Sequence, residues 1–177
     1  HKKAHGAQLS LEEGSDELSS EFKKRAEEVE IWEEDEPAGK VLDASLRAFA
    51  VWYAAAYPKI NPVEVESFFA KKVGSVPVTG YIDLIDHVKG PAMGGVEDPG
   101  YYIIADTKVT NATWSQAEIN TDPQFTLYSL VRAVPKVRVD GLVLLKGGPK
   151  YDAKTAPRTP RDWAILREDY EQVADMI

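Results

Sequence analysis

Asp83, Asp106 and Lys108 are the residues whose types and spacing promise chemistry. Asp83 closes Gly80-Tyr-Ile-Asp83 within one β-patterned segment, and Asp106-Thr-Lys108 ends the next apolar run, which starts at Tyr101. If the two segments pair as a hairpin, their carboxylates converge. Paired carboxylates suit a hard cation such as Mg²⁺ or Mn²⁺, which keeps open positions for water and phosphate, and the Thr107 carbonyl would complete a half-shell. Side chains at i and i+2 of a strand share a face, so Lys108 points the same way as Asp106. Beside a bound phosphate its ammonium can position the attacking water, help to deprotonate it or neutralise developing charge. The chemistry implied is hydrolysis of a phosphodiester by metal-activated water.

An Asp-x-Lys triplet alone is a weak signal, since an exposed strand end would give the same letters. Order and spacing strengthen it. An upstream Glu follows a helix, then come Gly-x-x-Asp, the apolar strand with Asp-x-Lys, a polar connection, and a helix opening Gln124-x-x-x-Tyr128. Gln124 and Tyr128 are i and i+4, so they lie on one helix face. Singly, Tyr128 reads as a core aromatic and Gln124 as a polar helix start.

The elements that must position these residues follow from periodicity. Ser10-Leu-Glu-Glu13 has capping-box spacing, which Gly14 is expected to interrupt, so a first helix is placed from Ser15 through Leu18, Phe22, Ala26 and Val29. Leu42, Leu46, Phe49, Ala50, Tyr53 and Tyr57 mark a second helix, closed by Pro58 and Pro62. Strands are expected at 63–69, 76–85 and 101–105, with a Gly- and Pro-rich hairpin loop over 87–100. The first strand's alternation puts Glu64 and Glu66 on one face. Asp122-Pro123 reads as an N-cap with Pro at the first helical position. Val137–Lys146 is taken as one bulged strand, although Asp140-Gly141 has hairpin-turn chemistry. A basic loop over 147–158 then leads to a helix opening at Thr159-Pro-Arg-Asp162. Helix, helix, three strands, helix, strand, helix implies an α/β or α+β fold, a mixed central sheet flanked by helices. A single domain over 1–177 is expected: a helical part at 1–62, a sheet core at 63–146, and the basic loop with the last helix at 147–177.

Composition sets the limits. The 177 residues suit one domain with a substantial core. With no cysteine, disulfides, thiolate catalysis and cysteine-ligated zinc or iron–sulfur clusters are excluded. No apolar run approaches a membrane span, and a cytoplasmic location is expected. The net charge of −8 argues against a general nucleic-acid coat protein. The charge is uneven, however. Residues 1–40 carry 6 Lys+Arg against 12 Asp+Glu, while 131–161 carry 8 against 2, so the later stretch could cradle phosphates. An ordinary solvated surface accounts for that stretch equally well.

Val63-Glu-Val-Glu66, Gly80-Tyr-Ile-Asp83-Leu-Ile, Ile104-Ala-Asp106-Thr-Lys108-Val-Thr110 and Asp122-Pro-Gln124-Phe-Thr-Leu-Tyr128 together resemble the RecB-type branch of the PD-(D/E)XK nuclease superfamily. That resemblance covers residues 63–130. It implies a restriction-endonuclease-like core and a Mg²⁺- or Mn²⁺-dependent DNA exonuclease of recombination, phage or CRISPR-associated type. A bacterial or phage-encoded protein is expected, with a larger recombination or phage assembly, or a homo-oligomer, as its candidate partners. It makes Asp83 and Asp106 metal ligands, Lys108 the catalytic lysine and Glu66 the motif glutamate, with Glu64 its rival. Gln124 and Tyr128 become a DNA-positioning helix motif. The further His that many relatives use as a ligand has only His5 as its counterpart, and no iron–sulfur cluster is possible. A nuclease-fold binding or scaffold module without catalysis is the alternative reading.

Lys146, Lys150, Lys154, Arg158 and Arg161 are candidate phosphate contacts, which fix register without reading sequence. His87 reads as a surface residue. Asp86, an odd number of residues from Asp83, reads as structural. Trp52, Trp114 and Trp163 read as packing residues, with Trp114 the best placed of them to stack on a base.

Overall fold

The computed structural model describes residues 8–27, 38–90 and 99–176. Its elements are α1 (Leu11–Ala26), α2 (Ala38–Ala55), a 3₁₀ turn (Tyr57–Lys59), β1 (Pro62–Val73), β2 (Val76–Val88), β3 (Tyr101–Thr110), α3 (Gln116–Thr121), α4 (Pro123–Arg132), β4 (Lys136–Leu145), β5 (Gly148–Pro157) and α5 (Pro160–Asp175). The strands form one mixed sheet in the order β1-β2-β3-β4-β5, an α+β arrangement. Contacts divide the chain into two compact units. One holds the residues up to Lys59 with 109–113 and 141–152; the other holds Ile60–Lys108, Trp114–Asp140 and 153 onward.

In the first unit, Gly14 does not interrupt the helix as expected. Ser10 caps α1 in a full capping box with Glu13, and Gly14 is buried inside the helix. A Cβ there would lie 2.4 Å from Cζ of Phe49, so the glycine lets α1 and α2 approach. Tyr53 and Tyr57 stack at 4.8 Å, and their hydroxyls bond the backbone of Leu9.

The second unit is built on the antiparallel ladders β1–β2 and β2–β3. Phe69, Ile82, Ile104, Phe125, Val137 and Val139 form the core between sheet and helices. α4 starts as its sequence requires: Asp122 accepts from the amides of Gln124 and Phe125, and Pro123 occupies the first turn. α3 precedes it, where a plain polar connection is expected; its six residues are too short for a periodic signal, although Ser115 and Glu118 form a capping box.

The basic segment 147–158 is a strand rather than a loop. β5 is the last strand of the sheet, and an edge tolerates the lysines and prolines that disguise it. Asp140-Gly141 lies within continuous β4; a Cβ at Gly141 would sit 2.8 Å from the Asp152 carbonyl, so close strand approach selects the glycine.

α5 begins at a Thr159–Asp162 capping box. The amide and hydroxyl of Thr159 hold the Asp162 carboxyl below its ordinary range. A lowered folded pKa contributes stability above the unfolded value of about 3.9 and loses it as pH falls through the folded value. Asp162→Asn should therefore flatten the acid limb of unfolding, read by Trp163 fluorescence, and leave stability between neutral and mildly alkaline pH shifted by a constant amount. An unchanged acid limb would count against this role.

Candidate active site

The ladder registers bring the acids together. β2 and β3 pair Leu84 with Ala105 and Ile85 with Ile104, so the next step of that register sets Asp83 opposite Asp106. β1 and β2 pair Val65 with Leu84 and Ser67 with Ile82, which leaves Glu66 opposite Asp83. Glu66, Asp83 and Asp106 thus occupy one row across three strands. Asp106 is not the end of its strand, as expected from the sequence; β3 continues to Thr110, which holds Asp106 and Lys108 in regular extended backbone.

Asp106 is buried, and its Oδ2 lies 2.8 Å from Nζ of Lys108. Burial pushes the Asp106 carboxyl above its ordinary range; Lys108 opposes that, and Asp83, within hydrogen-bond reach, adds to it. Burial works against the Lys108 ammonium, but Asp106, Asp83 and Tyr128 outweigh it and hold its pKa above the usual lysine value. Nζ of Lys108 also reaches Oε1 of Gln124 at 3.4 Å, and Nε2 of Gln124 donates to the Tyr128 hydroxyl at 2.8 Å. Tyr128 meets the ring of Phe69 edge-on, so it belongs to the core and to this polar chain at once.

Glu64 and Glu66 part company. Glu66 has φ +49°, left-handed backbone that is rare for a residue with a side chain and concentrated at functional sites. It breaks the alternation that was expected to put both glutamates on one face. Glu64 meets Ser67 and lies 3.0 Å from the Arg132 guanidinium on α4. Sequence reading missed Arg132; a cation in the last turn of α4 was the available signal.

The basic candidates separate too. Arg158 requires correction as a phosphate contact. It is 3% exposed, and its guanidinium donates to the carbonyls of Ile119 and Asp122 and to the Thr126 hydroxyl, clamping the α3–α4 corner. Lys146 and Lys150 are exposed in the first unit; Lys154, half-buried, is on β5 in the second. Trp114 meets Phe125 at a near-perpendicular ring angle and packs, partly buried, against the core. Trp163 donates to Ser129. His87 contacts the Pro99 carbonyl and the Tyr102 ring. Asp86 is fully buried and paired with Arg138, in keeping with a structural role. His5 lies outside the described residues. Among the described residues, no three His, Asp or Glu side chains form a cluster able to hold a metal, and no helix is long and apolar enough to cross a membrane.

No curated protein matches this sequence. Among solved structures, the crystal structure of SSO0001 is similar at 13% identity and a TM-score of 0.41, over 90% of this chain and 70% of that one. A model of the PD-(D/E)XK nuclease superfamily matches residues 2–177. The chain belongs to the PD-(D/E)XK nuclease superfamily.

Proposed function

We propose that this protein is a Mg²⁺- or Mn²⁺-dependent deoxyribonuclease of the RecB-type branch, acting as an exonuclease. The observation that carries this reading is the convergence of Asp83 and Asp106 with the Lys108 ammonium alongside. The donor set fits a hard divalent cation. Oδ2 of Asp106 is buried, and its contact is an ion pair rather than a well-directed hydrogen bond. A second carboxyl stands beside it, and superfamily members generally use such ions. Asp83 and Asp106 would hold the metal, with the Thr107 carbonyl supplementing them.

When bound, the cation would acidify its water and stabilise charge on the phosphoryl oxygens. The protein's own groups do the rest. Lys108, kept charged by Asp106, orients the attacking water and meets negative charge as it develops. Gln124 and Tyr128 fix the ammonium from the helix side. Glu66 is the better motif glutamate, because it lies in the row of acids, opposite Asp83.

One observation favours the second reading, a catalytically silent DNA-binding module: no third acid joins a metal-holding cluster among the described residues. Metal titration separates the two. Mn²⁺ should bind the wild type and lose more than about tenfold in affinity in Asp106→Asn, the scale on which ligand charge tunes such sites. End-labelled linear and closed-circular DNA, incubated with Mn²⁺ and then with chelator, tests activity, metal need and end requirement together. Release of label from linear DNA alone, stopped by chelator, is expected. Intact DNA under all conditions would leave the silent module.

A further inference from the structure

A second basic feature lies within the first unit. Ala44 and Arg47, one turn apart on α2, face the β4–β5 turn Lys146-Gly147-Gly148-Pro149 across a cavity of about 270 Å³. Arg47 and Lys146 are both exposed, and neither forms an ion pair among the described residues. The glycines leave the backbone open: a Cβ at Gly147 or Gly148 would meet nothing within 4 Å. Gly148, at φ +116°, holds a conformation that a side chain would disfavour.

We infer that this cavity is an anion site for a phosphate group, gripped by Arg47 and Lys146. Arg47 and Lys146 line the same concavity, and their groups suit a tetrahedral oxyanion: the guanidinium offers a planar fork, the ammonium a compact point charge. The volume falls just below the roughly 300 Å³ at which drug-sized pockets begin, which suits a phosphate with its water better than a whole nucleoside. The phosphate could belong to a nucleic-acid strand or to a small free anion. The strand is the source expected here, a choice that rests on the nuclease reading. Arg47 lies outside the basic stretch 131–161; only the fold brings it to Lys146.

The test measures binding with chelator present, so cleavage plays no part in it. A short fluorescent duplex is titrated across salt concentrations with the wild type, Arg47→Gln/Lys146→Gln, and Lys23→Gln/Lys24→Gln, which removes equal charge from α1. Each duplex phosphate contact contributes roughly 0.9 to the salt slope, so the first variant, which loses the one phosphate held by both cations, should lose about 0.9 and the α1 variant little. In parallel, inorganic phosphate is titrated while the amide resonances of Gly147 and Gly148 are followed. Saturable shifts in the wild type, absent from Arg47→Gln/Lys146→Gln, are expected. A slope change confined to that variant assigns the site to a strand; phosphate shifts without a slope change assign it to a free anion. Equal slopes in both variants with no phosphate shift overturn the site. Loss of cleavage in Lys108→Ala is scored separately, so the anion site and the nuclease reading can fail independently.

Discussion

Lys108→Ala should cut the rate of DNA cleavage by about 10²–10⁴-fold, the range that positioned proton-transfer and charge-stabilising groups contribute. That corresponds to roughly 3–5 kcal/mol of transition-state stabilisation. The Lys108 ammonium is fixed 2.8 Å from a buried carboxylate oxygen and within 3.4 Å of the Gln124 carbonyl oxygen. It is therefore directed before any substrate arrives, and its loss removes charge from the place where the phosphodiester would be attacked. Mn²⁺ binding should survive, because both carboxylates remain. Some stability should be lost, because buried Asp106 loses its ion-pair partner, but the fold should survive, since the Lys108 side chain is 30% exposed and leaves no large cavity. Gln124→Ala should have a much smaller effect, since its link to Lys108 is long and Asp106 still holds the ammonium. Cleavage by Lys108→Ala at the wild-type rate, with Mn²⁺ affinity unchanged, would refute the role assigned to the lysine.

The parts of this site legible in the sequence were those governed by short-range rules. Asp106 and Lys108 share a face because a strand repeats every two residues, and Gln124 meets Tyr128 because a helix repeats every three to four. The α4 start was equally readable, since Asp-Pro at a helix entrance is local chemistry. What failed was decided by the sheet. β5 carries lysines and prolines that read as a loop until its edge position is known. Arg158 reads as a free cation by composition, yet it is buried against carbonyls contributed by α3 and the Asp122 cap. Gly14 looks like a helix breaker until Phe49 is seen packed where its side chain would be. Glu64 and Glu66 cannot be told apart by alternation, because the left-handed backbone at Glu66 suspends the alternation at that point. For Arg158 and Gly14 a partner distant in sequence outweighed the local signal.

Arg138→Met should destabilise the protein by about 3–5 kcal/mol, the usual cost of leaving a buried charge without its partner. Asp86 and Asp140 are 0% and 1% exposed, and Arg138 bonds both: Nη1 to Asp86 at 2.9 Å and Nε to the two oxygens of Asp140 at 2.9 and 3.0 Å. Burial alone would lower the Arg138 pKa, but the two carboxylates outweigh it and the guanidinium is held firmly charged. Without it, two buried carboxylates lose the cation they share. For a chain of this size the loss amounts to a fall in Tm on the order of 10 °C. Adding Asp86→Asn and Asp140→Asn to Arg138→Met should recover much of the loss. The side-chain oxygen that Asp86→Asn retains can still accept from the Asn61 backbone amide, which Asp86 now holds at 2.6 Å. The triad also bears on function through position. Asp86 is three residues from Asp83 on β2, Arg138 and Asp140 are on β4, and β3 with Asp106 runs between them in the sheet. The triad therefore braces the strands that set the two acids side by side. At temperatures where Arg138→Met is still folded, cleavage per folded molecule should fall far less than in Lys108→Ala. A stability loss below about 1 kcal/mol would show that the guanidinium is not what keeps these carboxylates buried.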